Sequence, residues 1–156
     1  MIERSSGCLR WERPADVVLY PGLTLADFLA SDAWPRRELQ RDAKPWSIWK
    51  VDDLRTKQHQ LTASISFHDE RLHSTSLAIV DPTFGESWAE WSLERELARK
   101  AAHDRLLGED IGLQRSFVWG TVRSAYDPKS GGSSIVVQYA AQPSKRRAAT
   151  GTPSVR

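Results

Sequence analysis

The chain predicts an α+β domain: an antiparallel sheet of about five strands, one short N-terminal helix, and one long helix packed on a face. Three observations carry this expectation. Leu61, Ala63, Ile65 and Phe67 alternate with Thr62, Ser64, Ser66 and His68, the period-two pattern of a strand with one buried and one wet face. Ser87-Trp88-Ala89-Glu90 is a capping-box pattern ahead of a stretch with helical apolar spacing. Turn-forming clusters such as Asp127-Pro128-Lys129-Ser130-Gly131-Gly132 connect the apolar runs too tightly for parallel crossovers.

In order along the chain, Leu9, Trp11 and Val17–Tyr20 have β-type composition interrupted by Pro14. Pro21-Gly22 turns the chain, and Thr24 with Asp27 caps a short helix whose Leu25, Phe28 and Leu29 fall at i, i+3, i+4. Pro35 stops it, because the residue before proline disfavours helical geometry. Residues 36–45 are charged and end in a second proline, which reads as a loop. Trp46–Val51 is β-rich, the alternating run 61–68 follows, and a turn at Asp69-Glu70 leads into Leu72–Val80. The long helix is expected over 87–107, closed by Gly108, with Trp88, Trp91, Leu97, Ala98, Ala101, Ala102 and Leu106 on its buried arc. Glu94 falls inside that arc as a solvated or paired charge. Phe117–Tyr126 and Ile135–Tyr139 then form a hairpin. The order is (β)-α-β-β-β-α-β-β, and the sheet can be covered on one face by the long helix.

At 156 residues and 40% hydrophobic, the chain has the material for one core. Residues 1–142 read as a single domain and 143–156 as a disordered basic tail. Residues 141–156 hold Lys145, Arg146, Arg147 and Arg156 and no acid, which takes +4 from a total of +2 and leaves the rest near −2. The folded part therefore has no basic surplus for phosphates, and a nucleic-acid partner is not expected despite a pI of about 8.8. No apolar run reaches the roughly 18 residues of a membrane helix, and the N-terminus lacks a secretory signal, so no membrane role is expected. The single cysteine, Cys8, fits a small apolar thiol in a reducing cytoplasm. Seven tryptophans are the compositional oddity, suited to cores and to binding surfaces, with the core expected to take most of them.

Catalytic and metal motifs do not emerge. His68 and His73 are five apart, which does not place them on one helical face, and His59 and His103 have no cysteine or acid at ligand spacing. Ser130-Gly131-Gly132 lies between strands, so it reads as a turn and lacks the helix dipole of an anion loop. No serine sits in a nucleophile elbow. No enzyme activity, metal or cofactor is expected.

The second half carries Ser87-Trp88-x-x-Trp91-Ser92, Glu96, Arg99-Lys100, His103-Asp104, Trp119-Gly120, Ser124, Tyr126-Asp127-Pro128-Lys129-Ser130-Gly131 and Ser134-Ile135. Pro21-Gly22-Leu23-Thr24 and Phe28-Leu29 precede them. Over residues 20–140 this pattern resembles small bacterial immunity-type proteins, which are encoded beside polymorphic toxins delivered by contact-dependent or type VI secretion. The resemblance implies a cytoplasmic protein that binds and neutralises a cognate toxin domain. A secretion chaperone of similar element order, or a small enzyme with an unrecognised site, is the alternative. For a protein partner, the turn residues Asp69, Glu70, Arg71, Asp127 and Lys129, with Asp52 and Asp53, are the candidate contacts, since loops can change without rebuilding the scaffold. The wet face bearing Thr62, Ser64, Ser66 and His68 is the next choice.

Overall fold

The computed structural model describes residues 1–85 and 87–141. The expected tail, 143–156, lies outside them.

The N-terminal segment forms a small ladder, β1 (Leu9–Arg10) against β2 (Val18–Leu19), then α1 (Leu25–Ala30). Thr24 caps α1 as its sequence predicts, its Oγ1 accepting from the Asp27 N–H at 3.1 Å. The main sheet contains β3 (Arg37–Ala43), β4 (Trp46–Arg55), β5 (Gln60–His68), β6 (Arg71–Val80), β7 (Ser116–Phe117), β8 (Gly120–Asp127) and β9 (Gly132–Tyr139). Its order is β3-β4-β5-β6-β9-β8-β7, antiparallel throughout. Seven strands replace the expected five or so. Residues 36–45 are not a loop: β3 is an edge strand, exposed along nearly its whole length, with a register break between Leu39 and Arg41. Charges on both sides of such a strand hide its period-two signal and discourage pairing with other chains.

The long helix, α2, spans Leu93–Ile111 rather than 87–107. Ser87 makes no side-chain cap; Trp88–Glu90 is a separate 3₁₀ turn, and Ser92 caps α2 by accepting from the Arg95 N–H at 3.2 Å. Gly108 stays inside the helix, and Gly112, at φ +69°, closes it. The buried face is rotated accordingly. Glu96, Ala102, His103, Leu106, Leu107 and Ile111 face the core, whereas Trp88, Trp91, Leu97, Ala98 and Ala101 are exposed. Glu94 is exposed as well, so the helix acid inside the domain is Glu96.

One face of the sheet is covered in two parts. Over β4 and β5, Phe28 of α1 meets Trp34, Phe67 and Trp49 at ring separations of 5.0, 5.3 and 5.9 Å. Full burial of a side chain such as Phe28 is worth roughly 1.5–3 kcal/mol. Over β6, β9 and β8 lies α2. The N-terminal segment also closes the far end: Trp119 donates its indole N–H to Arg4 O at 2.8 Å and stacks on Gly7. A Cβ at Gly7 would sit 2.4 Å from that ring, and φ there is +75°, so only glycine fits. Trp11, Trp34 and Trp119 are buried, and Trp46 and Trp49 are half-buried.

Candidate functional site

The opposite face of the sheet has no described element packed over it. On β5 the alternation reads as expected: Leu61, Ala63, Ile65 and Phe67 are buried, and Thr62, Ser64, Ser66 and His68 are half-exposed. Strand register extends this wet face sideways. One row runs Glu38–Lys50–Ser64–Ser76–Val136–Arg123 across six strands. The next runs Arg41–Ile48–Ser66–Ser74–Gln138–Thr121. Small side chains therefore pave the centre, and longer ones rise on either side. Two shallow hollows result, about 260 Å³ beside Lys50 and Ser64 and about 560 Å³ beside Arg123 and Val136, and both include Ser76 and Ser134. Five inter-strand steps of about 4.8 Å and strands about 26 Å long give the face roughly 600–700 Å². A standard protein–protein interface takes about 800 Å² per partner.

The polar groups on this face are partly tied to one another. Lys50 Nζ lies 3.2 Å from the Asp52 carboxylate, which also accepts from Thr62 Oγ1 at 2.7 Å. Partial burial works to raise the Asp52 pKa, but the Thr62 and Lys50 contacts outweigh it and hold the carboxyl below its ordinary range. At the other end Trp46, His68 and His73 form an aromatic group, with Trp46 edge-on to both imidazoles at 4.5 and 5.0 Å.

The candidate contacts named from sequence do not form one patch. Asp52 sits on the open face of β4, and Asp53, at φ +60°, occupies the register break that follows it and accepts from Gln60 Nε2 at 3.0 Å. Asp127 and Lys129 are at the same end of the sheet but four strands away, roughly 19 Å. Asp127 is engaged in its own turn: the Lys129 N–H bond at 3.0 Å and the neighbouring Ser130 hold its carboxyl low. Asp69, Glu70 and Arg71 lie at the opposite end, about 20 Å along the strands. Asp69 and Glu70, at φ +47° and +61°, make the tight two-residue turn that a right-twisted hairpin prefers. Glu70 O accepts from Leu25 N at 2.8 Å, so this tip anchors α1 by its backbone and leaves its side chains in solvent.

Sequence reasoning missed two buried polar groups on α2. Glu96 accepts from the Ser133 N–H and Oγ–H, both at 2.6 Å, and from Arg99 Nη1 at 2.8 Å. His103, fully buried, accepts from the Ile79 N–H at 3.0 Å through Nε2. Their spacing, seven residues, is two helical turns, which is the signal that could have marked this face. Among the described residues, no three His, Cys, Asp or Glu side chains lie close enough to hold a metal ion together, and no helix is long and apolar enough to cross a membrane. Comparison with protein-family models, with curated proteins and with solved structures found no match.

Proposed function

We propose that this chain is a non-catalytic binding protein whose open sheet face receives a partner protein, and that the partner is a toxin domain which it neutralises in the cytoplasm. The uncovered face supports this reading most directly. Antiparallel sheets often leave one face to water, but here the area matches an interface and the centre is paved with Ser and Ala side chains. A partner can approach such a floor closely without displacing large groups, while Lys50, Arg123 and Trp46 at its borders supply directional contacts. The toxin as partner rests on the sequence resemblance alone.

Replacing Ser64 and Ser76 by Arg puts two long charged side chains in the centre of the floor without touching the core. Calorimetric titration against the toxin domain encoded beside this chain should then show affinity reduced about 100-fold or more. Charge reversal at Asp69 and Glu70, at the far tip, should leave affinity within about threefold. Unchanged binding by a folded Ser64→Arg/Ser76→Arg variant would place the interface elsewhere.

A further inference from the structure

Among the described strands, the outer edge of β3 is the long unpaired edge of the main sheet; the opposite edge ends in the two-residue β7. Such an edge presents free N–H and C=O groups, and its charges keep arbitrary strands away. On β3 those charges stand in an order that the strand can match with itself. Gln40 is the extra residue at the register break between Leu39 and Arg41, with no Cα partner on β4. An uninterrupted strand turns residues an odd number apart to opposite faces. The extra residue cancels that alternation across the break. Glu38 and Arg41, paired with Lys50 and Ile48, therefore share the open face. Arg37 and Asp42, paired with the buried Val51 and Ser47, share the covered one.

A second copy running antiparallel, with a twofold axis between Leu39 and Gln40, sets Glu38 against Arg41 and Arg37 against Asp42. Each pair joins opposite charges on one face of the sheet, and the axis makes each pair occur twice. Glu38, Arg41 and Asp42 are exposed to meet such a copy. Arg37 is held in position by its own chain, its Nη1 donating to Phe28 O at 2.6 Å and Leu29 O at 3.3 Å. Other alignments lose the match. Sliding one copy by one residue pairs opposite faces. Sliding it by two sets Arg36 against Arg41, or Arg37 against Lys44.

We propose that β3 is a self-association edge, at which two copies of this chain join their sheets antiparallel through the Glu38–Arg41 and Arg37–Asp42 pairs. The axis stands normal to the sheet, so the two open faces lie on the same side and become continuous. A seven-residue edge buries less than the roughly 800 Å² per partner of a standard interface. The dimer is correspondingly weak, with a dissociation constant on the order of 10–100 µM.

The test is sedimentation equilibrium of the full-length protein alone, from about 5 µM to about 1 mM, so no partner of the open face enters it. A reversible monomer–dimer equilibrium is expected. Glu38→Arg and Arg41→Glu should each weaken it about tenfold or more, because like charges then meet twice across the axis. Mixed in equal amounts, the two variants should form a dimer of one copy each, within about threefold of the parent's affinity, since positions 38 and 41 again carry opposite charges at both contacts. Both positions are exposed, so melting temperatures should stay within about 4 °C of the parent. Should a single variant melt lower, Glu38→Arg/Arg41→Glu carries the test, because the exchange restores both pairs and should restore the dimer. A parent that stays monomeric throughout overturns the proposal. So does a dimer that neither single variant weakens, which would place the contact elsewhere, or a mixture no more associated than its separate components.

Discussion

Acidification from pH 7 to pH 4 should remove about 3 kcal/mol of folding stability through one side chain, His103. Its imidazole lies between α2 and β6 with no solvent exposure, and burial, with the Arg99 charge next, pushes its pKa down to about 4. Glu96 and Asp104 act in the opposite direction and are outweighed. The β6–β9 ladder ends at Leu77, and His103 Nε2 accepts the next free N–H on that side, from Ile79. Nδ1 therefore carries the hydrogen, and protonation of Nε2 would destroy the bond it makes. Above about pH 6.5 both folded and unfolded chains hold a neutral imidazole, and the group adds no pH dependence. Below that, the unfolded chain takes up a proton that the folded chain refuses, so stability falls with pH until the folded imidazole titrates near 4. Asp52 and Asp104, whose carboxyls are held low in the folded state, add their own loss at the acid end of this range. His103→Gln separates the contributions, because an amide oxygen can still accept from Ile79 but does not titrate. Urea unfolding between pH 7 and 4.5 should give the parent a steeper decline than the variant. Parallel curves would mean that the imidazole is protonated as easily inside the fold as outside it.

The parts of the fold that were legible in sequence are those where one physical demand dominates. β5 alternates because one side is core and the other water, and its burial pattern follows the sequence residue by residue. The Thr24 cap was legible because the side chain and its target lie three residues apart. β3 was not, since an edge strand exposed on both faces has no apolar period, and its Arg-Glu-Leu-Gln-Arg-Asp run looks like a loop. The helix start was misplaced because Ser87 and Ser92 both precede plausible first turns. The later start comes with a long-range contact that no local pattern carries, Trp91 to Gly131. That choice also decides which tryptophans are exposed.

The open face was legible on one strand only. Thr62, Ser64, Ser66 and His68 announce a wet side of β5, but Ser74, Ser76, Ser134 and Val136 join them only through a strand order in which β9 inserts beside β6. That pairing spans about sixty residues and the whole of α2, and no local pattern encodes it. The acidic turn residues show the converse. Their charge is plain in the sequence, yet the sheet holds Asp52 and Asp69 at opposite ends, and Asp127 is occupied in capping its own turn.

The largest single loss should come from Glu96→Ala, at about 3–5 kcal/mol, the range found when one member of a buried ion pair is removed. Glu96 is 2% exposed and is the joint between α2 and the first turn of β9. Its deletion strands two donors, the Ser133 N–H and Arg99 Nη1, and leaves the Ser133 hydroxyl only the backbone carbonyl of residue 96, at 3.4 Å. Against a total of about 5–15 kcal/mol, such a loss removes between a fifth and all of the folding stability. Two further variants tell charge from hydrogen bonding. Glu96→Gln keeps an oxygen for Ser133 but gives Arg99 no counter-charge, and should cost about 1–3 kcal/mol. Combining Glu96→Leu with Arg99→Met removes both charges, so its cost should be well under the sum of the single changes, because a buried pair replaced by apolar groups is often neutral. Arg99 also ties down Phe84 O and Gly85 O, beside Trp88 and Trp91. Unfolding measured by calorimetry should therefore show Glu96→Ala as the most damaging of the set, and a cost below about 1 kcal/mol would mean that water reaches Arg99 and Ser133 once the carboxylate is gone.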